Sequence, residues 1–335
     1  MPRIAIIGGG PGGLTLLLTP HKRGIPATLY EREASFSTHR HLGGTLDLGY
    51  YHRFYDTQKL LVAFSGGPSE DPRDVRPEID RTVLRKIMLD AVPPESIKWG
   101  HDLTSIRPLG GGGAHELTFA NGFTTVSDIL VGADGAHSRV RPLLSPAQPI
   151  YHGVTGAEIS LAPETTKLPE LAETVANVGS GSMWAGDAQG FLGAQVNGDG
   201  RIRTYAWFRA GEDWKLPEDP DAGRAALLES WVHVDGVTIL GHAAHLMSPF
   251  AGAGANLAML DALELGILLK ESIAAGKSAE EREAGIKAWE EARMSEGRRV
   301  GAIAARNIEV SFSAKGPLAM IDGMKDMSPE LRRMA

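Results

Sequence analysis

Three glycines near the start of the chain have the spacing of a phosphate-binding turn. The apolar run 4–7 leads into Gly-Gly-Gly-Pro-Gly-Gly, and Gly8, Gly10 and Gly13 occupy the glycine positions of G-x-G-x-x-G. Glycine at these positions allows a tight bend, a close approach of backbone amides to a pyrophosphate, and close packing of a helix on a strand. The pattern therefore indicates a site for a phosphate-bearing ligand.

An acidic residue, Glu31, lies at the position where a dinucleotide-binding unit has a ribose-binding carboxylate. Glu31 ends the next apolar run, Ala27-Thr28-Leu29-Tyr30. A carboxylate at the end of the second strand of such a unit accepts hydrogen bonds from ribose hydroxyls. Strand, glycine turn, helix, strand and acid together predict a dinucleotide-binding βαβ unit. The alternative is a glycine-rich turn in an ordinary α/β domain.

Composition excludes several other functions. The chain has 335 residues, 42% of them hydrophobic, a formal net charge of −7 and no cysteine. We expect a globular cytoplasmic protein that binds neither nucleic acid nor membrane, because no dense basic cluster, signal peptide or transmembrane span is evident. The absence of cysteine excludes disulfides and thiolate metal sites, and the 11 histidines lack metal-binding spacing. No metal site is predicted.

The pattern of elements predicts a discontinuous α/β domain around a mostly β domain. Residues 49–77 are polar and rich in turn residues, which is typical of a loop, and a helix follows around Leu84 to Ala91. Antiparallel hairpins are predicted between 103 and 126, and helices at 256–272, 280–308 and 318–324. We expect a first domain of 1–148 with an inserted segment at about 49–77, a β domain of 149–236, and a return to the first domain with C-terminal helices at 237–335.

Two further glycine-rich segments complete a three-part signature. They are GADGAHSRVR at 132–141 and GHAAHLMSPFAGAGAN at 241–256. Together with the first glycine turn they resemble the motifs of the group A flavoprotein monooxygenases. Arg40 with the segment 43–48, and Glu78-Ile79-Asp80-Arg81, are most similar to the tetracycline-inactivating branch. The resemblance implies a Rossmann-like FAD-binding domain of the GR2 type, with a parallel sheet and an antiparallel β meander, and a mostly β substrate domain.

The resemblance also assigns roles to individual residues. Asp47, Arg81 and Phe250 would lie at the reacting centre, with Asp47 near the flavin ring and Phe250 facing the substrate. The residues implied in FAD binding are Gly8, Gly10, Gly13, Glu31, Arg32, Arg40, Arg81, Asp134, His242, Pro249, Gly252, Gly254 and Asn256. The candidates for substrate contact are Met183, Gln195, Arg203, Tyr205 and Trp207. Alternation on a sheet is equally typical of core or surface residues, and Arg81 and Arg141 could instead be structural charges at helix ends.

The implied function is hydroxylation of a small aromatic or polyketide-like substrate. NADPH or NADH would reduce FAD, O₂ would add at flavin C4a, and the hydroperoxide would deliver oxygen to an electron-rich carbon. The protein would shield this species from water and position the substrate. A role in secondary metabolism follows by analogy, and the chain would act as a monomer or homodimer.

The chain departs from the family pattern in three places. His242 stands where the family has aspartate, Pro20 lies in the helix after the glycine turn, and sequence is missing after Leu48 and between Trp231 and Val237. These departures leave open a protein of the same fold with weak or no flavin binding, acting as a non-redox cyclase, isomerase or auxiliary binding protein. A flavin oxidase or dehydrogenase is a further alternative.

Overall fold

The computed structural model describes residues 1–39, 45–46, 51–56, 59–65, 79–110, 113–149, 154–186, 190–209 and 235–313. Its strands, numbered in chain order, are β1 (Ile4–Ile7), β2 (Ala27–Glu31), β3 (Thr45–Leu46), β4 (Tyr51–Asp56), β5 (Lys59–Ser65), β6 (Ile79–Asp80), β7 (Ile97–Trp99), β8 (Leu103–Pro108), β9 (His115–Phe119), β10 (Thr124–Ser127), β11 (Ile129–Gly132), β12 (Val154–Leu161), β13 (Ser182–Gly186), β14 (Gly190–Val196), β15 (Ile202–Arg209) and β16 (Val237–Ile239). The α-helices are α1 (Pro11–His21), α2 (Arg81–Asp90), α3 (Ala172–Val178), α4 (Gly254–Ala274) and α5 (Ala279–Ser311).

Contacts divide the chain into two compact units. The first consists of Met1–Leu42, Thr82–Ile150 and Pro217–Ala302, and the second consists of Gly43–Arg81, Tyr151–Leu216 and Ile303–Ala335. The domain limits predicted from sequence, at 148/149 and 236/237, remain a prediction.

The first unit is built on a parallel sheet in the order β16-β11-β1-β2-β7. All four residues of β1 are buried, because an apolar run in a central parallel strand has neighbours on both faces. Its register sets Ile6 between Leu29 and Val131. Helices α1 and α4 pack together, and a Cβ on Gly266 would lie 2.6 Å from the Thr19 Cβ. The predicted hairpins form a separate antiparallel sheet in the order β10-β9-β8.

Pro20 marks the end of α1. The helix ends at His21, and the Pro20 carbonyl accepts hydrogen bonds from the Arg23 amide at 2.9 Å and the Ile25 amide at 3.1 Å. Proline inside a helix removes one backbone donor, so it is best tolerated close to a terminus. The sequence suggested that the helix would bend or stop early, and here it ends one residue after the proline.

The second unit contains a six-stranded sheet in the order β12-β15-β14-β13-β4-β5. The loop expected across 49–77 is wrong in part, since β4 and β5 form an antiparallel hairpin and β4 pairs in parallel with β13. The turn residues in this stretch led to the prediction of a loop, whereas β4 pairs locally with β5 and also with the distant strand β13. On one face of the sheet, Val178 of α3 is buried against Ala194 and Ile202.

Two other kinds of site are absent from the described residues. None of the helices among them combines the length and apolar character needed to cross a bilayer. Nor do these residues include a group of three or more histidine, cysteine, aspartate or glutamate side chains suited to a metal ion. The helix predicted at 318–324 lies outside the described part of the chain.

Candidate active site

A groove of about 680 Å³ follows the carboxyl ends of four parallel strands in the first unit. It contains Asp134 after β11, Gly8 to Gly10 after β1, Glu31 and Arg32 at the end of β2, and His101 to Thr104 after β7. Ligands of open parallel sheets bind at this edge, where loops from neighbouring strands diverge. The volume is within the usual range of ligand pockets, about 300–1,000 Å³.

The glycine turn forms the middle of the groove. Gly8 has φ of +105°, a conformation that L side chains rarely adopt, and a Cβ there would overlap the Ala133 carbonyl oxygen. A Cβ on Gly13 would overlap the Gly8 carbonyl oxygen, so glycine allows α1 to approach the turn. A Cβ on Gly10 would meet no atom within 4 Å. Gly10, the N-cap residue of α1, makes no side-chain capping hydrogen bond, and the first amides of the helix therefore suit an anion such as a pyrophosphate.

Glu31 holds the turn through its side chain. Its Oε2 accepts a hydrogen bond from the Gly9 amide at 2.5 Å, and its Oε1 accepts one from the Glu33 amide at 3.0 Å. A Cβ on Gly9 would lie 2.7 Å from Oε2. An ionised carboxylate has about four lone-pair sites, so these two bonds leave acceptors for ribose hydroxyls. Gly8, Gly10, Gly13 and Glu31 thus fit the adenosine diphosphate half of FAD.

Asp134 and Arg141 order the loop after β11. Asp134 accepts hydrogen bonds from the Ser138 hydroxyl at 2.6 Å and the Arg139 amide at 2.7 Å. The buried Arg141 donates from Nε to the Ala243 carbonyl oxygen at 2.8 Å and from Nη2 to the His242 carbonyl oxygen at 2.9 Å. Burial lowers the pKa of Arg141, and Asp134 opposes that shift. Arg141 therefore joins two motifs that are a hundred residues apart in sequence.

The third motif surrounds the start of α4. Gly241 has φ of +58°, and a Cβ there would lie 2.8 Å from the Ala258 Cβ. The imidazole of His242 lies against Gly254, where a Cβ would be 2.8 Å from Nε2. Gly252 ends the short 3₁₀ turn Pro249–Ala251 with φ of +64°. The segment therefore brings His242 next to Gly254 at the first turn of α4. Phe250 and Asn256 belong to the same segment, and their roles remain predictions.

Four of the five substrate candidates share one face of the sheet in the second unit. Arg203, Tyr205 and Trp207 alternate along β15, and Gln195 pairs with Arg203 across the strands. The rings of Tyr205 and Trp207 are parallel, with centroids 5.0 Å apart and 1° between their planes. Met183 lies on the opposite face, where it packs against the cluster that contains Val178. The structure does not bring Met183 together with the other four.

Glycine makes room for the aromatic side chains on this face. A Cβ on Gly193 would lie 2.5 Å from the Trp184 ring and 3.2 Å from the Trp207 ring. The indoles of Trp184 and Trp207 are stacked, with centroids 6.3 Å apart. Trp184, Tyr205 and Trp207 are each only partly buried. Flat, partly exposed rings of this kind suit a planar ligand, because aromatic pairs favour stacked arrangements.

Arg81 and Arg203 give this aromatic face a positive end. Arg203 forms an ion pair with Glu158. Burial lowers the pKa of Arg81, the first residue of α2, while Tyr205 and Glu158 raise it. Burial raises the pKa of Tyr205, Glu158 acts in the same direction, and the two arginines oppose it. The charged residues that act on Tyr205 in the described part of the chain are thus two guanidinium groups and one carboxylate.

Sequence reasoning missed several residues at these two sites. His101, Thr104, His137 and Arg139 line the groove, and Trp184 and Glu158 lie on the sheet face. His101 follows the short strand β7, whose place beside β2 in the parallel sheet the sequence did not indicate. Arg40 and Asp47 lie outside the described residues, so their roles stay predictions.

The fold and the groove are those of a dinucleotide-binding protein, and comparison with known proteins shows which proteins the chain resembles. Residues 222–299 match the family model described as FAD binding domain. The monooxygenase penA of Penicillium thymicola is 28% identical over 377 aligned residues, covering 83% of this chain and 86% of that protein. That alignment is longer than this chain, so the relative contains segments that the chain lacks.

Two solved structures share the fold. Klebsiella pneumoniae HpxO complexed with FAD and uric acid has a TM-score of 0.71 at 21% identity, covering 99% of this chain and 93% of that one. The tetracycline destructase Tet(51) has a TM-score of 0.61 at 18% identity, covering 91% and 92%. These matches support the resemblance to the group A FAD-dependent monooxygenases that the motifs predicted, and with it FAD as the expected cofactor.

Proposed function

We propose that the chain hydroxylates a small, planar, anionic substrate, either an aromatic ring or the enol of a polyketide-like molecule, with O₂ and NADPH or NADH. The observation that supports this most directly is the sheet face on which Tyr205, Trp207 and Trp184 lie beside Arg81 and Arg203. When bound, FAD would accept electrons from the nicotinamide and activate O₂. One oxygen atom would then be transferred to an electron-rich carbon of the substrate.

The residues that would hold FAD lie in the first unit. The N-terminus of α1 and the turn at Gly8 to Gly10 would bind the pyrophosphate, and Glu31 would bind the adenosine ribose. The segment from His242 to Asn256 would supply backbone amides near the flavin ring. The open space at Gly10 and the uncapped helix N-terminus support this assignment.

The residues of the sheet face would position the substrate. The stacked rings favour a planar molecule, and Arg81, beside the Arg203–Glu158 ion pair, favours a carboxylate, phenolate or enolate. Tyr205 would stay protonated at neutral pH, because its pKa is raised, and could donate its O–H to a substrate oxygen. Arg81 would also contact the flavin and stabilise negative charge that develops in the reaction. That HpxO is complexed with uric acid, a planar acid, is in keeping with this choice.

Flavin binding and reduction provide the first test. We expect the purified protein to bind about one FAD per chain, and NADPH or NADH to bleach the flavin absorbance, with recovery in air. Oxygen uptake that depends on both nicotinamide and an added planar acid would then support hydroxylation. Glu31→Gln is the matched variant, because it keeps the size of the side chain but removes the carboxylate charge at the ribose.

Other outcomes would contradict the proposal. Reduction of the flavin by a substrate without any nicotinamide would indicate an oxidase or dehydrogenase. Failure to bind FAD at high micromolar concentration would favour a non-redox protein with this fold.

A further inference from the structure

His101 occupies the end of the groove next to Glu31. The His101 amide donates to the Glu31 carbonyl oxygen at 2.8 Å, and the Gly100 amide donates to the Glu33 carbonyl oxygen at 2.8 Å. Because β7 lies beyond β2 at the edge of the parallel sheet, the residues after β7 come next along the groove after the ribose carboxylate. Asp134 lies on the other side of the glycine turn, after β11.

The imidazole of His101 has a fixed orientation. Its Nδ1 lies 2.8 Å from the Trp99 carbonyl oxygen. A carbonyl oxygen only accepts hydrogen bonds, so Nδ1 carries the proton and Nε2 of the neutral ring is an acceptor. The ring is held edge-on by Phe119 and Phe123, with centroids 5.3 and 5.1 Å away.

The Nε2 atom of His101 is available to a ligand. In the described part of the chain it makes no hydrogen bond, and the side chain is only partly buried at the groove lining. An acceptor at this place needs a donor from the ligand. When the pyrophosphate lies at the glycine turn and the ribose at Glu31, the part of an adenine dinucleotide that follows is the base, whose exocyclic amino group is an in-plane donor.

We propose that His101 Nε2 accepts a hydrogen bond from the 6-amino group of the adenine of FAD. The residue thereby distinguishes an aminopurine from an oxopurine at this end of the groove. This inference rests on the proposed placement of FAD along the carboxyl ends of the strands. Asp102, the next residue, also lines the groove and is the competing acceptor.

The test compares FAD with its deaminated counterpart, in which hypoxanthine replaces adenine. Binding to the apoprotein is measured by flavin fluorescence, which needs no turnover. We expect the wild-type protein to bind FAD about tenfold more tightly, because hypoxanthine presents a carbonyl oxygen to an acceptor and leaves Nε2 without a partner. In His101→Phe, which keeps the aromatic packing, FAD should bind about tenfold more weakly and the two affinities should become equal.

Two variants serve as controls. His137→Phe alters another histidine of the groove lining, on the side of Asp134, and should leave the ratio of the two affinities unchanged. Asp102→Asn should also leave that ratio unchanged. The assignment to His101 would be overturned if Asp102→Asn were the only variant to bind FAD and its deaminated counterpart equally. It would also be overturned if the wild-type protein bound the two dinucleotides equally. Binding of neither dinucleotide would instead overturn the proposed placement of FAD, and the inference with it.

Discussion

His245 Nε2 lies 2.5 Å from Asp261 Oδ2, and both side chains are buried, with 5% and 1% of their surface exposed. The same oxygen accepts a hydrogen bond from the Gly241 amide at 3.1 Å. One carboxylate of α4 therefore holds both ends of the Gly241–His245 turn, whose carbonyl groups bind Arg141. A buried polar pair of this kind is costly to break, because the remaining partner is left without a hydrogen bond.

Removing the carboxylate should destabilise the protein strongly. We expect Asp261→Ala to lower the free energy of unfolding by about 3 kcal/mol, since it leaves His245 and the Gly241 amide without an acceptor in the interior. Asp261→Asn keeps an acceptor oxygen and should cost less. Urea unfolding of the apoprotein measures both variants. Equal losses in the two would show that the hydrogen bonds are not the cause.

The two glycines of the turn should respond differently to alanine. Gly10 has φ of −71° and a Cβ there would meet no protein atom, so Gly10→Ala should change the free energy of unfolding by less than about 1 kcal/mol. Its methyl group would occupy the groove and weaken FAD binding by about tenfold or more. Gly13→Ala should destabilise the fold by about 2 kcal/mol, because its Cβ overlaps the Gly8 carbonyl oxygen.

Denaturant unfolding and FAD titration of the same two variants separate stability from binding. The interpretation of the groove fails if Gly10→Ala binds FAD as tightly as the wild-type protein.

Charge changes on the sheet face should shift anion binding in opposite directions. Arg81→Gln should weaken the binding of salicylate about fivefold, and Glu158→Gln should strengthen it by a similar factor, because each changes the local charge by one unit. Salicylamide, which is neutral and of similar shape, is the control ligand and should be unaffected. Quenching of tryptophan fluorescence, to which Trp184 and Trp207 contribute, reports binding. Parallel responses of both ligands would argue against an anion site.

The phenol of Tyr205 should ionise only in strongly alkaline solution. Burial raises its pKa in the folded protein above the usual tyrosine value of about 10. The folded state then holds this proton more tightly than the unfolded state. The resulting stability is fully present below about pH 10, and it is lost as the pH rises through the raised pKa. Ultraviolet absorbance of phenolate, compared between the wild-type protein and Tyr205→Phe, measures the ionisation, and a Tyr205 signal below pH 10 would contradict it.

Sequence patterns predicted those elements that can be recognised from a short stretch of neighbouring residues. The glycine turn, Glu31, the β meander and the two long helices follow from periodicity and turn chemistry within short windows. The hairpin at 51–65 was missed because turn residues flank it, and the pairing of its first strand with β13 is non-local. Met183 and Gln195 were predicted together, yet they lie on opposite faces of the sheet, because alternation defines two faces of a strand without saying which one packs on α3. His101 became visible only when the strand order placed β7 next to β2.

The hydrogen bonds of Arg141 bear on how position 242 can evolve. The guanidinium of Arg141 donates to the main-chain carbonyl oxygens of residues 242 and 243. These oxygens are present whichever side chain each residue carries. A mutation from aspartate to histidine at position 242 therefore leaves the connection between the two motifs intact. The side chain at position 242 can therefore change during evolution, and with it the chemistry around the cofactor, while the fold of the two motifs is kept.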